Sequence, residues 1–294
     1  MRSVSLFLAA TLAVAASPAQ AQTDWSKVDA AFGRSGAVQA GAVHRYAFPR
    51  SDLKVTLDGV AIKPALALGS WVAFQPMGNE AMVMGDLVLT QEEVNPVMSR
   101  LLAGGLTITA LHNHLLRSAP ATMYMHVGGR GDPVKLAQFL RAALAASATP
   151  LAAPASAPAV PDKLDLDTAA LDRMMGAKGK ANGGVYQFAF PRAETPRAGG
   201  MPAPATMGTA TAINFQPTGD GKAAITGDFV MVASEVDPVL RALRDNGIEV
   251  TALHNHMLDD TPRLFFMHFW ANADAQQLAS GLRQALDRMR LAKP

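Results

Sequence analysis

Thr109-Ala-Leu-His-Asn-His114 and Thr251-Ala-Leu-His-Asn-His256 are the same six residues written twice, and each copy is followed twelve residues later by a further histidine, His126 and His268. The offset between the copies, 254 − 112 = 142, also carries Tyr46-Ala-Phe-Pro-Arg50 onto Phe188-Ala-Phe-Pro-Arg192 and Gly85-Asp86 onto Gly227-Asp228. Glu93-Val-Asn-Pro-Val97 falls on Glu235-Val-Asp-Pro-Val239 at the same offset, and Phe74-Gln-Pro76 on Phe215-Gln-Pro217 one residue short of it. The chain is therefore a duplication. Two copies are too few for a solenoid, so the pattern implies a tandem or pseudo-dimeric fold.

Within each copy the hydrophobic spacing predicts a short helix, several strands, a helix, two strands and a closing helix. Trp25 to Phe32 and Leu166 to Met175 have apolar residues at helical spacing and stop before Gly33 and Gly176. Strands are expected at Val43 to Phe48, Ser70 to Gln75 and Ala81 to Leu89, and at Val185 to Phe190, Ala210 to Gln216 and Ala223 to Val232. Thr90 and Ser234 are the expected caps of the next helices, with Glu93 and Asp237 three residues on as in a capping box, and Glu93 and Glu235 fit helix-start positions. Strands at Leu106 to His114 and Ile248 to His256 follow, with return strands at Thr122 to Val127 and Leu264 to Trp270, and Asp132 and Asp274 lead into the closing helices. This order is a circular permutation of the split βαβ arrangement. The expected fold is α+β: two homologous repeats, each an antiparallel-rich sheet with helices packed on one face, permuted ferredoxin-like in order, forming a pseudo-dimer.

Residues 1–21 read as a signal peptide, with Arg2, an apolar run from Val4 to Ala16 and the small-x-small site Ala19-Gln-Ala21. The run falls short of the roughly 20 apolar residues a spanning helix needs. Residues 22–147 form repeat 1, 148–161 an Ala/Pro-rich linker, and 162–294 repeat 2. With no cysteine in the chain there is neither a disulfide framework nor a thiol for lipid attachment, so the expected location is periplasmic or secreted, with no lipid anchor. A formal charge of only +2, spread along the chain, argues against a nucleic-acid partner, and no second apolar stretch is long enough to be an integral membrane segment. Oligomeric state is left open.

Alternation along a strand puts Ile108, Ala110, His112 and His114 on one face, and Val250, Ala252, His254 and His256 likewise. Residues i and i+2 are about 6.6 Å apart along the strand, close enough for two imidazoles to converge on one ion, and a hairpin partner can bring the third histidine opposite. The candidate metal ligands are therefore His254, His256 and His268, with His112, His114 and His126 as the second set. Zinc or copper suits imidazole donors. The plain alternative is histidines that hydrogen-bond at a strand end and do nothing more. His44 has no counterpart, because copy two has Tyr186 there.

The flanks favour copy two. Asp259 and Asp260 are candidate catalytic carboxylates, and Arg263, Trp270 and Asn272 are candidate ligand-binding residues; copy one has Arg117, Ser118, Ala121, Gly128 and Arg130 in their places. Asp86 and Asp228, each after a glycine, read first as β-bulges and second as carboxylates aimed at the histidines.

Thr251 to Arg263, reading Thr-Ala-Leu-His-Asn-His-Met-Leu-Asp-Asp-Thr-Pro-Arg, together with Phe266-Met-His-Phe-Trp-Ala-Asn272, resembles the LppY/LpqO family, a domain of unknown function in exported bacterial proteins. The likeness covers nearly the whole mature chain. Its namesakes are lipoproteins, and the missing cysteine means that anchoring is not carried over. The resemblance implies export and the repeated architecture, and no established activity, substrate or cofactor. The functional expectation is a protein that binds a metal ion or small ligand through duplicated His-x-His…His clusters. Its rivals are a metal-dependent hydrolase of the cell envelope and a noncatalytic envelope interaction protein.

Overall fold

A computed structural model describes residues 23–152 and 164–293. The expected signal segment, and residues 153–161 of the expected linker, lie outside the described residues.

Both repeats build the same six-stranded antiparallel sheet. In the first, the strands run side by side as Ala37–Gln39, Val43–Pro49, Gly69–Met77, Glu80–Thr90, Thr122–Gly131 and Thr107–His112. The second repeats this order with Lys180–Asn182, Val185–Phe190, Thr211–Gly219, Lys222–Val232, Leu264–Asp274 and Glu249–His254. The last four strands of each sheet and their two helices have the neighbour relations of a split βαβ unit whose cyclic element order starts one strand early. The α+β pseudo-dimer expected from the sequence is the architecture seen.

One face of each sheet carries the helices. Trp25–Phe32, Gln91–Ala103 and Pro133–Leu144 cover the first, closing a core in which Phe32, Phe48, Phe74, Val97, Leu101 and Leu140 have no exposed surface. Thr168–Met175, Ala233–Asp245 and Ala275–Leu286 cover the second in the same way around Phe215, Phe229, Phe269, Leu243 and Leu282. Gly33 and Gly176 end the first helix of each repeat in the left-handed region, at φ 70° in both, where a side chain is disfavoured. Asp132 and Asp274 cap the closing helices through the backbone N–H groups of Lys135 and Gln277, at 2.9 and 2.8 Å.

The caps of the middle helices differ from expectation in copy two. Thr90 opens the first helix, with its N–H donating to Glu93, but the second opens two residues earlier than Ser234, at Val232, whose N–H donates to Glu235 in place of the expected Asp237. Both glutamates also hold a fully enclosed arginine. Arg50 donates to Glu93 at 2.7 Å and to the carbonyl of Val88 at 2.7 Å, and Arg192 donates to Glu235 at 2.6 Å and to Val230 at 2.8 Å. Burial alone would raise the Glu235 carboxyl, but Arg192 and the N–H groups of Arg290 and Val232 hold it below its ordinary value. The arginine thus ties the end of one strand to the start of the helix that follows two strands later.

The other faces of the two sheets pack against each other, giving helix, sheet, sheet and helix layers. Val55, Leu57, Leu66, Val88, Leu115 and Tyr124 of the first repeat close an apolar cluster with Val185, Ala224 and Trp270 of the second. Hydrogen bonds also cross: Gln216 accepts from the Lys63 N–H at 2.9 Å and donates to the Ala61 carbonyl at 2.8 Å. Thr251 donates to the His114 carbonyl at 2.6 Å, and Asn113 to the Thr251 carbonyl at 3.0 Å. The middle residue of the first His-Asn-His thus fixes its loop to the opposite repeat.

Candidate functional site

Each half of the site is made by two neighbouring strands. His126 lies directly opposite Asp86 on one side and Ala110 on the other, and His268 lies between Asp228 and Ala252 in the same register. Gly85-Asp86 and Gly227-Asp228 are in unbroken pairing with their neighbours, so the bulge expected there is absent. The irregularity sits instead on the histidine strands, between Ile108 and Ala110 and between Val250 and Ala252. One extra residue turns the alternation over. Ile108, opposite Val127, faces the helices, while Ala110 and His112, opposite His126 and Tyr124, face the other repeat. The expectation that Ile108 and His112 share a face is corrected accordingly. The bulge allows the strand to contribute to the core at one end and to the site at the other.

The structure brings all six repeated histidines together across the interface. The imidazoles of His112 and His254 stack with ring centroids 3.5 Å apart, those of His114 and His268 at 3.7 Å, and those of His126 and His256 at 3.6 Å. His114 corresponds to His256 and His126 to His268, so the second and third pairs exchange under a pseudo-two-fold axis that passes between His112 and His254. Tyr124 stacks beneath His114 at 3.4 Å and its counterpart Phe266 beneath His256 at 3.5 Å. His44 lies elsewhere, stacked on Trp25 at 3.6 Å.

Three of the six imidazoles have Nδ1 beside a backbone carbonyl. Nδ1 of His112 lies 3.2 Å from the Asn113 carbonyl, that of His254 3.3 Å from the Asn255 carbonyl, and that of His268 2.8 Å from the Gly227 carbonyl. A carbonyl accepts only, so each Nδ1 carries the proton and each Nε2 presents its lone pair. Among the described residues, the Nε2 atoms of all six histidines are buried without a hydrogen-bond partner, as are Oδ1 of Asp86 and Oδ1 of Asp228. The ligand atoms of His112, His254, His256 and His268 lie within 4.8 Å of one another, and so do those of His112, His114 and His126.

Burial also sets the protonation. It pulls His112 down to about 3, with the neighbouring His254 adding to the effect, and His254 down to about 4. His114, His126, His256 and His268 are held well below the ordinary imidazole value by the same cause, reinforced by one another. Asp86 is pushed up to about 8 by burial, with Arg45 opposing, and Asp228 well above its ordinary value by burial and then by Asp86. The carboxylates approach the imidazoles only to 3.7–3.9 Å, beyond direct hydrogen bonding. Neutral imidazoles beside neutral carboxyls are the state in which Nε2 lone pairs are free to coordinate.

Adjacent to His126 and His256 is a cavity of about 10 Å³, also lined by Trp71, Met84, Met207 and Met257. That is the scale of a single water.

The remaining sequence candidates have partners of their own. Asp259 accepts from the Gly199 N–H at 3.2 Å, and buried Asp260 accepts from the Leu264 N–H at 2.5 Å. Arg263 pairs with Asp260 at 3.2 Å and donates to the carbonyls of Met257 and Leu258. Trp270 is buried in the cross-repeat cluster with its Nε1 donating to Asp58 at 3.2 Å, and Asn272 accepts from Thr218 at 2.9 Å. Among the described residues none of these five hydrogen-bonds to a histidine of the cluster. Sequence reasoning missed the aromatic pair Tyr124 and Phe266, although their spacing of 266 − 124 = 142 carried the signal.

A family described as Domain of Unknown Function (DUF1259) matches residues 26–146 and again residues 169–288. The chain belongs to this family. Both copies are matched, so the duplication is of the whole domain. Among solved structures, the chain is similar at 15% identity to a trimeric bacterial microcompartment shell protein, PduB, covering 86% of this chain and 90% of that one with a TM-score of 0.21. It is similar at 7% identity to EtuB from Clostridium kluyveri, covering 85% and 90% with a TM-score of 0.19. No curated protein matches the chain.

Proposed function

We propose that this DUF1259 protein binds transition-metal ions, zinc or copper, through the six histidines enclosed between its repeats. The observation that carries this reading is the set of six buried Nε2 atoms, gathered in one cluster and lacking a hydrogen-bond partner among the described residues. Each buried polar atom left unpaired costs about 1–3 kcal/mol. Coordination offsets that cost at every one of them. The neutral imidazoles support binding at ordinary pH. Asp86 and Asp228 are proposed as the accompanying carboxylates, with Tyr124 and Phe266 packing the rings. The likeness to the LppY/LpqO family and the amino-terminal signal pattern support action outside the cytoplasm, in the periplasm or beyond.

The test is elemental analysis of protein purified without an affinity tag. The account expects bound zinc or copper that falls in His112→Ala and His254→Ala and is unchanged in His44→Ala. Metal-free protein that also takes up neither ion on dialysis counts decisively against it.

A further inference from the structure

We infer that the interface is built for two metal ions, one belonging to each repeat, and not for one ion at its centre. This rests on the metal reading above and goes beyond it in stoichiometry and ligand sets.

Among the described residues, the buried side-chain atoms of the cluster that lack a partner number eight and divide evenly by repeat: His112, His114, His126 and Asp86 on one side, His254, His256, His268 and Asp228 on the other. Each carboxylate sits by histidines of its own set. Asp86 lies 3.7 Å from Nε2 of His114 and 3.8 Å from Nε2 of His126; Asp228 lies 3.8 Å from Nε2 of His256 and meets His268 on its Nδ1 side, at 3.9 Å. Each triad also closes on its own, since its three ligand atoms lie within 4.8 Å of one another.

A single ion fits less of this arrangement. The largest group that shares one 4.8 Å neighbourhood is His112, His254, His256 and His268. With metal–nitrogen bonds of about 2.0–2.1 Å, opposite ligands stand about 4.2 Å apart, so four nitrogens is as many as one ion reaches without rearrangement. His114, His126 and Asp86 would then stay buried and unpartnered, although they reproduce the occupied set residue for residue. Two ions give all six Nε2 atoms a partner, three to each ion, with one aspartate beside each set.

The spacing agrees. An ion lies near the plane of the imidazole that binds it, and the three cross-repeat ring pairs stack at centroid separations of 3.5, 3.7 and 3.6 Å with their planes tilted by 25°, 27° and 23°. Ions held by opposite members of these pairs would be about 3.5–4 Å apart, the usual separation in two-metal sites. Two divalent ions bring four positive charges against two carboxylates, so a small anion such as hydroxide is expected to complete the shell.

The test uses the full chain, stripped by chelator and titrated with Zn2+ alone and, in a parallel arm, with Cu2+ alone, with bound ions counted by native mass spectrometry. Two ions per chain are expected in at least one arm. The paired variants His114→Ala/His126→Ala and His256→Ala/His268→Ala should each retain one. The conservative variants Asp86→Asn and Asp228→Asn keep the shape of the side chain, and each should weaken one of the two binding steps by tenfold or more. One ion per chain, kept by the first paired variant and lost by the second, overturns the two-ion arrangement and leaves metal binding standing. No ion in either arm overturns both.

Discussion

His112 and His254, separated by 142 positions in the chain, face each other with their imidazole centroids 3.5 Å apart at the pseudo-two-fold axis of the molecule. Burial disfavours the charged form of both rings and holds each far below the ordinary imidazole value, with His254 adding to the effect on His112. Their Nδ1 protons are engaged by the carbonyls of Asn113 and Asn255, which turns both Nε2 atoms to the same enclosed space.

That arrangement makes the metal-free protein sensitive to acid. His112 at about 3 and His254 at about 4 compare with about 6.5 for an unfolded histidine, so between those values the unfolded chain binds more protons. Stability therefore falls as pH drops through 6.5, by at most about 1.4 kcal/mol per pH unit for each histidine. Asp86, pushed up to about 8, works the other way: its folded form keeps a proton that the unfolded chain releases near 4, so its share of stability is lost as pH rises toward 8. Thermal melts of chelated protein should show a loss below pH 6 that is shallower in His112→Ala, while a flat profile from pH 4 to 7 contradicts this electrostatic picture.

Metal uptake should release protons. Asp86 and Asp228 are held neutral near pH 7 by burial, and a cation beside them favours the carboxylate. Proton release measured in weakly buffered solution at pH 7 should be smaller in the Asp86→Asn/Asp228→Asn double variant than in the parent. Equal release from that variant and from the parent would mean that the two carboxyls are not in the site.

Arg192 has almost no exposed surface, and its guanidinium is shared among Glu235, Glu194 and the Val230 carbonyl. Arg192→Met leaves the buried Glu235 without its partner and should cost about 3–5 kcal/mol in unfolding free energy, with Arg192→Met/Glu235→Gln recovering part of it. Denaturant unfolding of the single and double variants measures both. A single variant within 1 kcal/mol of the parent, on the roughly 3 kcal/mol scale expected here, would show that the pair is dispensable.

Gly227 is followed by Asp228 in the centre of the second sheet, where a Cβ would collide with the carbonyl of Ala212 on the neighbouring strand. Its own carbonyl accepts from His268. Gly227→Ala should lower stability by about 1–3 kcal/mol through overpacking and weaken metal binding with it. Gly85→Ala meets a less severe clash and should be milder. The order of the two melting temperatures checks this.

Much of the fold was legible because the repeat doubles every signal. Val185–Phe190 and Trp25–Phe32 have the bounds that alternation and helical spacing gave them, whereas the strand order was not legible, because hairpins do not decide which strand of the second pair lies beside Glu80–Thr90. The site was legible as residues, not as an arrangement. Nothing in one chain's periodicity says that two sheets will turn their histidine faces toward each other, so two triads could be read but not the stacking that merges them. The bulge at Thr109 and Thr251 was hidden because those residues suit a regular strand, whereas Gly-Asp looked like a distortion. There the glycine answers to the close approach of a neighbouring strand, and the aspartate to the histidine opposite. Arg50 and Arg192 were hidden for another reason: a partner 43 positions away in both copies is visible only once the fold brings them together.

The most direct measurement is anomalous X-ray diffraction from crystals of the metal-loaded chain, collected on both sides of the zinc or copper absorption edge. The account predicts anomalous density between the repeats, about 2.0–2.1 Å from Nε2 atoms of the six histidines. Density confined to the protein surface, or none among these rings with their Nε2 atoms bonded to ordered water, would contradict it.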